Sequence, residues 1–180
     1  MRYISCADTV KMIQSALKES FWFEKFYVKY KERDAGNLIL VRWMDGPNGE
    51  QINSIIDAFR ACSCKTGLTH KLLIYGEEVE FDVREIGLER EFSSFAKGNA
   101  WGQLYLKYGR KSGMDDRRYI HYDLDGEETV FWVPNIKYIE PFDGHAWLSQ
   151  EFNHILTEFT WEKKASPSPT IEKIIHVPIE

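Results

Sequence analysis

The sequence predicts an α+β fold: an α-β-β-α-β-β N-terminal module, followed by an antiparallel sheet packed by a C-terminal helix. Three patterns lead there. Apolar residues recur at helical spacing at Val10, Ile13 and Leu17, at Ile52, Ile55, Ile56 and Phe59, and at Leu148, Phe152, Ile155, Leu156 and Phe159. Between these stretches, runs such as Val79-Glu80-Phe81-Asp82-Val83 alternate apolar and polar residues with the two-residue period of a half-buried strand. Turn chemistry, Gly76-Glu77 and Asp125-Gly126 among it, separates the strand-like runs at hairpin distances. With 180 residues, 43% of them apolar and 14% aromatic, the chain can bury a sizeable core and is not a disordered or low-complexity protein.

In chain order, Ser5 and Asp8 have capping-box spacing, with Asp in place of the usual Glu, and open a helix over residues 6–19. Phe26, Val28 and Tyr30 then alternate with Tyr27, Lys29 and Lys31 as a strand. Asp34-Ala35-Gly36-Asn37 supplies a turn, and Leu38 to Trp43 completes a hairpin. Asp45-Gly46-Pro47 stops that strand. Asp45 is expected to cap the following helix through its carboxylate, with Pro47 in its first turn, where no amide donor is missed. Leu72 to Tyr75 and Val79 to Val83 predict a second hairpin, and Ile86 to Phe95 fits a short helix or an irregular stretch. Leu104 to Tyr108, Tyr119 to Leu124 and Thr129 to Val133 read as strands, with a further short one around Ile136 to Ile139 between Pro134 and Pro141. Asp143 is placed to cap the last helix. Ser166-Pro167-Ser168-Pro169 reads as an extended linker, and Ile171 to Val177 as an edge strand or docking tail. The expected organisation is a module over 1–95, an acidic sheet-plus-helix module over 96–165, and a linker and tail over 166–180.

Charge is unevenly spread. Residues 1–120 carry 19 Lys and Arg against 17 Asp and Glu, a net of +2, whereas residues 121–180 carry 4 against 11, a net of −7. The acidic third is a poor phosphate-backbone binder, since counterion release needs clustered cations, but it suits a basic protein surface. No apolar run approaches the roughly 20 residues that span a bilayer, and the opening residues lack the apolar stretch of a secretory signal. Three cysteines, Cys6, Cys62 and Cys64, are too few for a disulfide framework. A cytoplasmic protein, working in a bacterial host cell and not at a membrane, is the expectation.

Motifs for chemistry are weak. Cys62-x-Cys64 lacks the second pair that a tetrahedral zinc requires. Glu151, His154 and Glu158 share one side of the last helix, near His145 in sequence, without the second Glu-x-x-His helix of a di-metal site. Asp123-x-Asp125-Gly126 lacks the twelfth-position Glu of a calcium loop. No nucleophile–base arrangement or phosphate cradle is recognisable, so neither a catalytic residue nor a cofactor is expected. The candidates are therefore binding residues. Glu127, Glu128, Glu151, Glu158 and Glu162 are the acidic side chains expected to meet a basic partner. Trp22 and Trp161 are the expected aromatic anchors, because Trp dominates interface energetics. Lys107, Arg110, Lys111, Arg117 and Arg118, interleaved with Tyr105, Tyr108, Tyr119 and Tyr122, form the alternative, a nucleic-acid-binding cluster. Lys25, Lys29, Lys31 and Arg33 add a basic row on the first hairpin.

One stretch carries a family likeness. Tyr3-Ile4-Ser5-Cys6-Ala7 opens a helix ending near Ala16-Leu17-Lys18, and Phe26-Tyr27-Val28 opens the hairpin. Val41-Arg42-Trp43-Met44-Asp45-Gly46-Pro47 leads to Gln51, Ile52, Ile55 and Phe59, and Arg90-x-Phe92-Ser93 closes the stretch. This pattern, with Trp-x-Asp-Gly-Pro its most specific element, resembles the large polyvalent protein-associated domain numbered twenty-nine in its series, over residues 3–93. The sequence departs from that family after Phe59, where Ala61 to Leu68 replaces a Gly followed by Phe-Asp-Gly-Met. The resemblance implies a phage or plasmid context, near antirestriction genes, and attributes no catalytic residues. The function expected from all this is a non-enzymatic inhibitor of a bacterial defence complex, of anti-CRISPR or antirestriction type. It would bind a defence protein or ribonucleoprotein, with nucleic-acid mimicry by the acidic part as one route. The alternative is a nucleic-acid-binding accessory module of a mobile element.

Overall fold

The computed structural model describes residues 1–33, 36–60, 70–122, 126–133, 144–160 and 165–178. The turn at Asp34-Ala35, Cys62 and Cys64, Asp123 to Asp125, the strand expected at Ile136 to Ile139, the Asp143 cap, Trp161 and Glu162 lie outside the described residues. The chain divides into two compact units, residues 1–91 with 160–180, and residues 92–159.

The first unit is built on two sheets. Strands β2 (Phe26–Lys31), β3 (Leu38–Met44) and β6 (Glu85–Glu91) form one in the order β2-β3-β6, with β2 antiparallel and β6 parallel to β3. Strands β1 (Arg2–Ile4), β4 (His70–Ile74), β5 (Glu77–Phe81) and β9 (Ile174–Pro178) form the other in the order β1-β5-β4-β9. Helix α1 (Cys6–Ser20) starts at Ser5, whose hydroxyl accepts from the Asp8 amide at 3.2 Å, as the capping spacing requires. Helix α2 (Gly49–Ile56) runs on into a 3₁₀ turn over Asp57–Phe59. One continuous core holds Ile13 and Leu17 of α1, Ile52 and Ile56 of α2, the inward residues Val28, Ile39, Val41 and Trp43 of one sheet, and Leu72, Val79 and Phe81 of the other.

Two predicted details of this unit are corrected. Asp45 does not cap α2. Asn48 does: its side chain accepts from the Gln51 amide at 3.0 Å, and the Gln51 side chain accepts from the Asn48 amide at 2.8 Å. The cap lies three residues further on because the chain spends Asp45 and Gly46 in a left-handed turn, at φ 53° and 55°. Ile86 to Glu91 is strand, neither a short helix nor irregular. Ile86 and Leu88 pack on the core while Glu85, Glu89 and Glu91 face outward.

Residues 165–178 complete the first unit. The short helix α5 (Pro169–Glu172) leads into β9, which pairs antiparallel with β4. Glu19, near the end of α1, clasps α5. It accepts from the Ser168 hydroxyl, from the Thr170 amide at 3.0 Å and from the Thr170 hydroxyl at 2.9 Å. Partial burial pushes the Glu19 carboxyl up, but these three donors outweigh it and leave the group below its ordinary range.

The second unit comprises α3 (Ser94–Tyr108), the ribbon β7 (Arg117–Tyr122) with β8 (Glu128–Val133), and α4 (Gly144–Glu158). Leu104 to Tyr108 is the end of α3 and not a strand. The buried face recurs every four residues at Ala96, Ala100 and Leu104, and two alanines give so weak an apolar signal that the local alternation of Leu104, Leu106 and Tyr108 masks it. Ser93 caps this helix by accepting from the Ala96 amide at 3.2 Å. Trp101 of α3 stacks on Phe152 of α4 at 4.4 Å and on His121 of β7 at 4.0 Å, between ring centroids.

Candidate binding site

The most specific part of the sequence pattern folds into one rigid turn in the first unit. Strand β3 delivers Trp43, whose indole N–H donates to the Pro47 carbonyl at 2.8 Å across the loop. Arg90, from the neighbouring strand β6, lays its guanidinium on the same loop, donating to the carbonyls of Asp45 at 2.9 Å and Gly46 at 3.2 Å. The Asp45 amide returns a bond to the Glu91 carbonyl at 2.8 Å. Positive φ at a buried aspartate is uncommon and is kept only where the surroundings fix it. Here the Arg90 fork and the Trp43 ring do so. The two ends of the pattern, Trp-x-Asp-Gly-Pro and Arg-x-aromatic-Ser, are thus in direct contact through Arg90, while Ser93 caps α3.

The turn also shapes the segment after α1. Phe21 is fully buried, and its carbonyl accepts from the Glu24 amide at 3.0 Å. The Glu24 carboxylate rests so close to Gly46 that a Cβ there would lie 2.8 Å from its Cδ, which is why this position takes glycine. Fixed at both ends, the segment projects Trp22 and Phe23 outward, 75% and 52% exposed. Their rings meet edge-on at 5.2 Å. Tyr27 of β2 and Met44 of β3 are likewise exposed, on the sheet face that turns away from the core. Sequence reasoning singled out Trp22 but missed Phe23, Tyr27 and Met44. The missing signal was the buried Phe21 and the pinned Glu24, which make the two rings between them point outward.

The other expected site residues are scattered through the second unit. Glu151 accepts from the Lys107 ammonium at 2.9 Å and from the Tyr108 hydroxyl at 3.0 Å. The Lys107 bond holds its carboxyl below the usual range against the opposing effect of burial. Lys107, of the basic set, and Glu151, of the acidic set, are therefore each other's partners. Glu158 is exposed further along α4, and Glu127 and Glu128 are exposed at the start of β8. Lys111 sits over the Trp132 ring at 5.3 Å, and Arg118 is the cross-strand neighbour of Trp132. Arg117 pairs with Val133, on the opposite face of the ribbon, and Arg110 is exposed just past the end of α3. Sequence proximity thus brings Lys111 over the Trp132 ring and Arg118 opposite Trp132 in register, but does not make a single basic patch. A cavity of about 380 Å³ opens beside Trp101, Tyr105, His121 and Phe131; its aromatic lining was not foreseen, because Tyr105 had been placed on a strand. Among the described residues no three His, Cys, Asp or Glu side chains gather as metal ligands, and no helix is long and apolar enough to cross a membrane.

No curated protein and no solved structure matches the chain. A family model does, over residues 4–93, a segment that runs from the end of β1 through β6 to the Ser93 cap and leaves α5 and β9 outside it. The residues that meet in the turn, Trp43, Asp45, Gly46, Pro47 and Arg90, all fall inside that match. The chain belongs to this family, the large polyvalent protein associated domain 29, an accessory domain of phage polyvalent proteins.

Proposed function

We propose that the chain is a non-enzymatic binding protein with which a phage or plasmid inhibits a bacterial defence complex, of CRISPR or restriction type, inside the host cell. The observation that carries this reading is the Trp22–Phe23 pair, held outward beside the rigid Trp43–Pro47 turn. Two large rings kept in solvent lower the entropy lost on docking, and such side chains dominate binding energy when a partner covers them. The residues of the turn act on one another: Arg90 and Trp43 bond to backbone carbonyls. That is the behaviour of a scaffold for a binding loop. Charge mimicry of nucleic acid is less favoured as the route, because Lys107 neutralises Glu151.

The test is infection of a host that carries a defined restriction or CRISPR system. The chain is expected to restore plaque formation, and the Trp22→Ala/Phe23→Ala variant, equally folded, is expected to lose that effect. Protection by the variant equal to that of the parent chain would remove the aromatic pair from the mechanism.

A second reading, a nucleic-acid-binding accessory module, has one observation in its favour: Lys111 lies over the Trp132 ring and Arg118 is the cross-strand neighbour of Trp132, which brings together the residue types that neutralise and stack on a single strand. It predicts binding to single-stranded DNA or RNA that weakens steeply with salt. No binding at low salt with micromolar protein would dismiss it.

A further inference from the structure

The outward face of the β2-β3-β6 sheet is striped by charge. On β2 it presents Tyr27, Lys29 and Lys31; on β3, Leu38, Leu40, Arg42 and Met44; on β6, Glu85, Gly87, Glu89 and Glu91. The Arg42 guanidinium is bonded to the Glu89 carboxylate across the strands, so the middle row carries no net charge and is otherwise apolar. To one side runs a positive row and to the other a negative one. Lys29, Lys31, Glu85 and Glu91 make no ion pair among the described residues. A cavity of about 440 Å³ lies along this face, lined by Tyr27, Lys29, Leu40, Arg42, Met44 and Glu91.

We propose that this face pairs with the same face of a second copy of the chain. The argument is charge complementarity. A two-fold axis running along β3, between the stacked faces, exchanges the two flanking rows while keeping the middle row on itself. It lays the lysine row of each copy over the glutamate row of the other, Leu40 and Met44 over their own equivalents, and Arg42 over Arg42, each neutralised by Glu89 of its own chain. The registers then set Lys31 opposite Glu85 of the second copy and Tyr27 opposite Glu89. Lys29 falls opposite Gly87, where no side chain obstructs it. An isologous contact of this kind is closed, so it stops at two copies. A nucleic acid fits the face poorly, because its phosphates would lie along the glutamates of β6.

The contact is small. Strands about 23 Å long, three of them about 4.8 Å apart, give on the order of 350 Å² of projected area per copy, below what tight dimers bury. The expected pair is therefore weak and salt-dependent, forming at concentrations of roughly 10–100 μM. The inference does not depend on the function proposed above, because the charge reversals that test it leave Trp22 and Phe23 unchanged.

Sedimentation equilibrium of the full chain tests it. At low ionic strength the mass should rise from monomer to dimer across that concentration range, and added salt at about 0.5 M should weaken association about tenfold. Lys29→Glu/Lys31→Glu should be monomeric alone, and so should Glu85→Lys/Glu91→Lys, each with an unchanged circular dichroism spectrum. An equimolar mixture of the two should recover a dimer, because every row is again opposed by its complement. Recovery also shows that both variants are folded. A parent chain that stays monomeric at high concentration and low salt, charge-reversed variants that dimerise like it, or a mixture that fails to associate would each overturn the proposal.

Discussion

The ammonium of Lys107 and the carboxylate of Glu151 meet at 2.9 Å, tying α3 to α4, and the Tyr108 hydroxyl donates to the same oxygen at 3.0 Å. The carboxylate is three-quarters shielded, at 25% side-chain exposure, and the lysine is largely in solvent at 59%. The pair is thus a half-buried tether between helices. A double-mutant cycle with Lys107→Met and Glu151→Gln should give a coupling of about 0.5–1 kcal/mol, read from thermal or urea unfolding.

The same pair sets an acid dependence. The Glu151 carboxyl is held below its ordinary value, chiefly by Lys107. Its contribution to stability is therefore present above the ordinary glutamate value and is lost as the pH falls through the lowered folded value. Unfolding of the parent chain should grow easier over that acid window, and Glu151→Gln should flatten its share of the slope. Equal slopes in the two proteins would mean that the tether does not persist in solution.

Glu19 makes a parallel prediction for the other unit. Its carboxylate holds Ser168 and Thr170 at the start of α5, immediately before β9. Glu19→Ala should cost about 2–3 kcal/mol, since it removes three bonds to a charged group in a part-buried place. Amide exchange should quicken in β9 and in its neighbour β4, and limited proteolysis should trim the C-terminal segment first.

The turn at Asp45-Gly46 should be intolerant of change. Gly46→Ala meets both a left-handed backbone and the Glu24 carboxylate, and is expected to cost about 1–3 kcal/mol. Arg90→Lys keeps the charge but loses the planar fork that reaches two carbonyls, for about 1–2 kcal/mol. Denaturant titration distinguishes these from Trp22→Ala and Phe23→Ala, whose rings are exposed and whose stability should stay within about 0.5 kcal/mol of the parent chain.

Several elements were legible because their signals are local. Ser5 and Asp8 with the Val10, Ile13 and Leu17 spacing defined α1, and alternation defined β2 and β3. The parallel strand β6 was not recognised, although Ile86 and Leu88 alternate with Glu85, Gly87 and Glu89. A glycine within a glutamate-rich run reads as irregular until β3 is known to lie beside it. Strand β1 has three residues and exists only through its pairing with β5. In the site, Trp22 was legible as a candidate anchor because it is a tryptophan within the aromatic run Phe21-Trp22-Phe23. The contact of Arg90 with Asp45 and Gly46 joins residues 44 and 45 positions apart, and nothing in a single sequence couples them. The same distance explains why acidic and basic side chains assigned to separate partners proved to be joined at Lys107 and Glu151.

Because β9, which follows residues 92–159 in sequence, fills the edge beside β4, the stretch 92–159 interrupts the first unit in sequence as an insert. A ribosome therefore releases the whole of the insert before it releases the strand that completes the first unit. During translation the edge of β4 waits uncovered while the insert emerges. A slow or stalled synthesis would leave that edge open to pairing with other chains, so β9 acts as the closing seam.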